Sequence, residues 1–64
     1  MLLCKKLKQL RIKKGLTIKA LARLINVSQS TISSWEKGKS TPYLSKLIMI
    51  VKTFDVTCRY LLGV

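Results

Sequence analysis

The chain has 64 residues, 48% of them hydrophobic, with thirteen Lys and Arg against two acids, Glu36 and Asp55, and no His. This length predicts a single domain, residues 1–64, with a small core and no room for a deep catalytic cleft, and the hydrophobic content excludes a disordered tail. A net charge of +11 and a pI near 10.3 oppose folding by self-repulsion and suit a polyanionic partner, duplex nucleic acid first and an anionic membrane surface second.

The longest unbroken apolar run, Leu47 to Val51, is far below the ~18 residues of a membrane span. The start, Met1-Leu2-Leu3-Cys4-Lys5-Lys6, contains no signal-peptide core, so a cytoplasmic location is expected. Cys4 and Cys58 lie at opposite ends without CxxC or Cys/His spacing, so no metal or other cofactor is expected. A disulfide between them would be unusual in a chain that is not secreted, and both read as small, partly buried apolar residues. With no His, two acids and no Gly-rich phosphate loop, the parts for acid–base or metal-assisted catalysis are missing. An enzyme is not expected, and no small-molecule ligand is evident.

Breakers at Gly15, Asn26, Gly38 to Pro42, Asp55 and Gly63 divide the chain into five short segments. Leu3, Leu7 and Leu10 recur at helical spacing in the first, with Lys13 and Lys14 suited to its C-terminal dipole and Gly15 to the position just beyond it. Lys5 and Lys6 sit near the positive end of that dipole, so helix stability does not account for them. Thr17 caps a second helix of about 17–25, in which Leu21, Ala22 and Ile25 form an apolar stripe and after which Asn26 suits a left-handed residue. Ser28 caps the third, where Ile32, Trp35 and Glu36 share a face and Gly38 ends the helix. Pro42 precedes or begins the fourth, with Leu44, Leu47, Ile50, Val51 and Phe54 as the predicted core stripe. Asp55 breaks it, and Thr57 caps a last turn through Leu62, with Leu61 or Leu62 turned inward. Strand and hairpin signals are nearly missing, so an all-α bundle of five short helices is predicted. Met49, Leu24 and Ile18 fall outside the stripes and could mark a dimer or partner patch.

Two short helices joined by a tight turn, the second with a polar face, describe a helix-turn-helix, here about residues 17–37. Ala22 is the small residue where the second helix crosses the first, Asn26 and Val27 provide the left-handed residue and the apolar plug of the turn, and Gln29, Ser30 and Ser34 give the second helix short hydrogen-bonding side chains for base edges. Within this frame the sequence resembles the Cro/CI-type phage-repressor helix-turn-helix family. The resemblance rests on Leu7-Lys8-Gln9-Leu10-Arg11, Lys14-Gly15-Leu16-Thr17, Leu21-Ala22, Val27-Ser28-Gln29-Ser30-Thr31-Ile32-Ser33, Trp35-Glu36-Lys37-Gly38-Lys39, Pro42 and Leu61-Leu62-Gly63. It implies a compact five-helix domain that binds double-stranded DNA, usually as a dimer on a palindromic operator, and hence a transcriptional regulator, with repression the expected sense. Ile18 stands where the family commonly has a phosphate-touching Gln, so that contact is expected to be lost and lysines to compensate. Asn26 stands where the family usually has Gly.

Gln29, Ser30, Ser33 and Ser34 are the expected base contacts, with Gln29 suited to bidentate adenine readout. Thr17, Lys19, Ser28, Thr31, Lys37, Lys39 and Ser40 are the expected phosphate contacts, which position without specifying; Thr41 shares their loop, and Lys5 and Lys6 are further candidates. Trp35 is expected in the core. By the resemblance, Arg11 and Glu36 form an ion pair, and a homodimer meets around Cys58, Arg59 and Tyr60, weak without DNA, with half-sites about 10–10.5 base pairs apart. Two other readings of the residues are a protein-interaction module on the same fold, such as an antirepressor or antitoxin, and a cationic membrane-surface peptide built on the first segment.

Overall fold

The computed structural model describes residues 2–62, with side chains from residue 3 to residue 61. The described residues form five α-helices and no strand: α1 Leu2–Lys13, α2 Ile18–Ile25, α3 Gln29–Glu36, α4 Leu44–Phe54 and α5 Cys58–Leu62. Each boundary follows from a local residue choice. Thr17 Oγ1 accepts the Ala20 N–H at 3.0 Å, Ser28 Oγ the Thr31 N–H at 3.2 Å, and Thr57 Oγ1 the Tyr60 N–H at 3.0 Å, satisfying N-terminal amides that have no intrahelical partner. Helix α4 starts without such a cap: its N-cap position is Tyr43, which directly follows Pro42.

The C-termini close on left-handed residues. Asn26 has φ 59° and lets the Val27 N–H reach Ala22 O at 2.9 Å. Asp55 does the same at φ 54°, with the Val56 N–H on Val51 O at 3.1 Å. Gly38, at φ 75°, ends α3 where a β-carbon would stand 3.6 Å from Cys4 Sγ, in ordinary contact, so the positive φ rather than space is what favours glycine there.

One core holds the helices together. Leu3, Leu7, Leu21, Ala22, Ile25, Ile32, Trp35, Ile50, Phe54 and Leu61 are buried in it, with Leu10, Leu16, Val27, Leu47, Val51 and Val56 packed against it. Cys4 is also buried and Cys58 half-buried. Three expectations need correction. Leu44 is 71% exposed rather than part of the α4 stripe, because periodicity assigns a face but no described residue covers that face at the first residue of the helix. Ile18 and Met49, in contrast, pack against the core instead of standing outside it; of the three suggested patch residues Leu24 alone is exposed. The inward position of Leu61 is observed, whereas the side chain of Leu62 and the whole of Gly63 lie outside the described residues.

Three lysines close helix ends on other elements. Lys46 Nζ donates to Ile25 O at the end of α2 (3.2 Å), Lys14 Nζ to Thr53 O at the end of α4 (3.1 Å), and Lys6 Nζ to Tyr60 O in α5 (2.7 Å). Orphan carbonyls at the negative end of a helix dipole are favourable partners for ammonium groups. Lys14 therefore serves α4 through this bond rather than simply ending its own helix. No described helix is long and apolar enough to cross a membrane.

Candidate nucleic-acid interface

With Ile32 and Trp35 turned into the core, helical periodicity puts Gln29, Ser30, Ser33, Ser34 and Lys37 on the outward side of α3. Gln29, Ser30 and Lys37 are exposed and Ser33 and Ser34 half-buried. The chain then turns back at Gly38, and Ser30, Ser33, Ser34, Lys37 and Lys39 line one shallow cleft. Short hydroxyl groups flanked by two ammonium groups can hydrogen-bond base edges and meet phosphate oxygens from the same surface.

The hydroxyls are not equivalent. Ser28 Oγ, besides capping α3, lies 3.1 Å from Ser30 Oγ and 2.8 Å from Thr31 Oγ1. Ser28 and Ser30 are exposed and Thr31 is half-buried. Thr31 lines a different hollow with Val27, Trp35, Ser40, Thr41, Tyr43 and Lys46, so the structure separates it from the Lys37 side of the cleft. Ser34 Oγ lies 2.8 Å from Ser40 Oγ in the loop after α3. Thr17 and Lys19 are exposed at the start of α2.

A second depression joins α3 to α1. It is lined by Lys8, Arg11, Ile18, Ser33, Glu36 and Lys37. Ile18, in the position of the family's Gln, thus offers an apolar wall beside Ser33. Arg11 Nε donates to Glu36 Oε2 at 2.7 Å and Nη2 to Oε1 at 3.1 Å, while Nη1 donates to Leu16 O at 2.9 Å. The two side chains are 12% and 6% exposed. Lys8, exposed on this rim, had no role in the sequence reading; its i, i+3 relation to Arg11 was the signal that places both on the α3 side of α1.

Lys6 and Lys5 part company. Lys6 Nζ stands 4.1 Å from the centroid of the Tyr60 ring as well as bonding to Tyr60 O, so using it for phosphate would sacrifice a cation–π contact and a hydrogen bond. Lys5 is exposed and is free of that arrangement. Cys58, Arg59 and Tyr60 belong to α5, which packs on α1 and α4, so they are not brought to the α3 cleft.

This arrangement coincides with a known sequence family: a family model described as helix-turn-helix matches residues 7–61. The chain belongs to the Cro/CI-type helix-turn-helix family. It is 47% identical over 58 residues to the HTH-type transcriptional activator BcrR of Enterococcus faecalis, covering 91% of this chain and 28% of that protein. It is 38% identical over 58 residues to the HTH-type transcriptional regulator AnsR of Bacillus subtilis (91% and 50%). It is also 35% identical over 60 residues to the uncharacterized HTH-type transcriptional regulator YobD of the same species (94% and 54%). The chain thus spans between about a quarter and just over half the length of these relatives.

Proposed function

We propose that this chain is the duplex-DNA-binding domain of a transcriptional regulator, with α3 lying in the major groove. The observation that carries the reading is the α3 cleft, where Ser30 and Ser33 stand with Lys37 and Lys39, next to an exposed Gln29 at the start of a helix whose opposite side is locked into the core. Gln29 takes adenine by its amide, Ser30 and Ser33 meet neighbouring base edges, and Thr17, Lys19, Ser28, Lys37, Lys39 and Ser40 hold flanking phosphates. Thr31 is placed at the edge of this set, with its hydroxyl on the Ser28 cap.

Two copies on a two-fold-symmetric site, meeting around Cys58, Arg59 and Tyr60, would set α3 helices one turn of DNA apart. Repression by occlusion is the proposed sense, because it needs no contact beyond the DNA face. That BcrR is named an activator fits a scheme in which the sense depends on where the operator lies relative to the promoter. The membrane-surface reading loses its basis, since Leu3, Cys4 and Leu7 of α1 are buried against the other helices.

Selection of bound sequences from a random duplex library tests this function. A two-fold-symmetric consensus with adenine at a fixed place in each half, bound with strong salt dependence, is expected. Enrichment of no sequence, with no retardation of random duplex at low salt, would overturn it in favour of a protein-binding module.

A further inference from the structure

Ser34 is tied to the loop after α3 twice. Its carbonyl accepts the Lys39 N–H at 3.0 Å across the Gly38 turn, and its hydroxyl lies 2.8 Å from that of Ser40. A serine hydroxyl has one hydrogen to donate and two acceptor positions. In an Oγ–Oγ pair one of the two residues spends its hydrogen on the other, so the pair offers incoming base edges fewer donors than two independent serines would. Ser34 is also half-buried, whereas Gln29 and Ser30 at the N-terminal end of α3 are exposed. Ser30 is paired too, with Ser28 Oγ at 3.1 Å, and Ser33 is equally half-buried; what sets Ser34 apart is that its hydroxyl is committed to a residue beyond the Gly38 turn, in the loop, rather than to the start of α3.

What the double tie does accomplish is positional. Lys39 and Ser40 are exposed, follow a glycine turn, and are separated from α3 by no further helical structure. A lysine contacts phosphate as a point charge on a flexible stem, so its usefulness depends on where its backbone is held. The bond from Lys39 N to Ser34 O is main-chain and would be kept with any residue at 34, so what Ser34 itself adds is the hydroxyl pair, which holds Ser40, and with it the loop, against the same turn of helix. Main-chain bonds at the end of α3 fix the turn itself, and the hydroxyl pair limits how far the phosphate-meeting loop beyond it can swing from the base-reading helix.

We propose that Ser34 is a positioning residue that holds the Lys39–Ser40 loop at the phosphate backbone, and not a base-reading residue. This inference rests on the DNA-binding reading above. Its signature is an uncharged substitution that changes an electrostatic readout: with the hydroxyl pair gone, the loop is held less firmly and Lys39 displaces its counterion less completely.

The test is the salt dependence of binding to a random-sequence duplex and to a selected one, measured for the native chain and for Ser34→Ala, Ser34→Thr, Ser40→Ala, Lys39→Ala and the Ser34→Ala/Lys39→Ala pair, with helicity checked by circular dichroism. Lys39→Ala is expected to flatten the log–log slope by about 0.9, the value for one phosphate. Ser34→Ala and Ser40→Ala, which lose the hydroxyl pair but keep the main-chain bond, should flatten it by part of that amount and weaken both duplexes by the same factor. Ser34→Thr should restore the native slope, and the double variant should match Lys39→Ala alone. Should Ser34→Ala fail to fold, Ser40→Ala decides the matter from the loop side. A native slope combined with relaxed preference at one base pair would make Ser34 a base reader and overturn the proposal, as would no change at all or fully additive losses. Absence of duplex binding by the native chain would instead remove the DNA-binding reading, and this one with it.

Discussion

Arg11 and Glu36 lock α1 to α3 through a two-pronged ion pair, Nε to Oε2 at 2.7 Å and Nη2 to Oε1 at 3.1 Å. The third guanidinium nitrogen reaches Leu16 O in the turn that leads to α2, so one side chain ties α3 to α1 and to the turn before α2. The planar fork makes this a matter of angle as well as energy. It also neutralises a carboxylate on the last residue of α3, where an uncompensated negative charge would oppose a polyanion.

Glu36→Gln is expected to lower stability by more than the ~1 kcal/mol typical of an exposed pair, approaching ~3 kcal/mol because both side chains are largely shielded. Arg11→Met should cost a comparable amount. Denaturant titration of the two single variants and the double variant checks this: the double loss should be well below the sum, and additive losses would mean that the contact contributes nothing to stability.

Removing a cation from this chain should have opposite effects at different places. Lys5, exposed in the first turns of α1, opposes the helix dipole and the +11 charge together, so Lys5→Met should raise the melting temperature, by roughly 0.3–1 kcal/mol of stability. Lys46 closes the end of α2 on Ile25 O and Asn26 O, and Lys46→Met should lower it by a similar amount. Both variants shifting in the same direction would show that net charge outweighs the placement of individual lysines.

These lysines mark where sequence legibility ended. Caps, left-handed residues and the Ile32–Trp35 face are local features, readable from neighbours within a few positions, and Thr17, Asn26, Ser28 and Thr57 act as the residue types imply. Lys6 and Lys14 bond to carbonyls 54 and 39 positions away, and no local pattern announces such a partner. Leu44 failed for a related reason: spacing gives its face but not whether another helix lies opposite. Ile18 and Met49 failed in the reverse sense, since the α1–α3 depression and the α2–α4 contact cover residues outside the ideal stripes. At the candidate site the residue types on α3 were legible, but the division of labour among its serines depends on hydroxyl pairs that only folding creates.

Lys8 and Lys6 differ by two positions on α1 and should differ in kind. Lys8 is exposed and lines the α1–α3 depression with Ser33 and Lys37, within reach of a duplex seated on α3, so Lys8→Ala is expected to flatten the salt slope of duplex binding by about 0.9 with little change in melting temperature. Lys6→Ala should leave the slope unchanged and lower the melting temperature, having lost its Tyr60 contacts. Equal slope changes for the two would place both lysines at the DNA.

Salt should act in opposite directions on folding and on binding. Moderate salt screens self-repulsion, so thermal melting of the free chain should move upward, while duplex affinity falls as counterions are no longer released as favourably. A melting temperature that drops steadily from low to moderate salt would indicate that attractive pairs dominate the surface.

The claim that α3 reads duplex DNA is tested most directly by fluorescence anisotropy of a selected duplex and a base-shuffled one, with the native chain and Gln29→Ala at one fixed salt concentration. The native chain should prefer the selected duplex, and Gln29→Ala should lose ~1–3 kcal/mol of discrimination at one base pair while binding the shuffled duplex as before. Equal weakening of both duplexes by the substitution, or no preference in the native chain, would contradict the account.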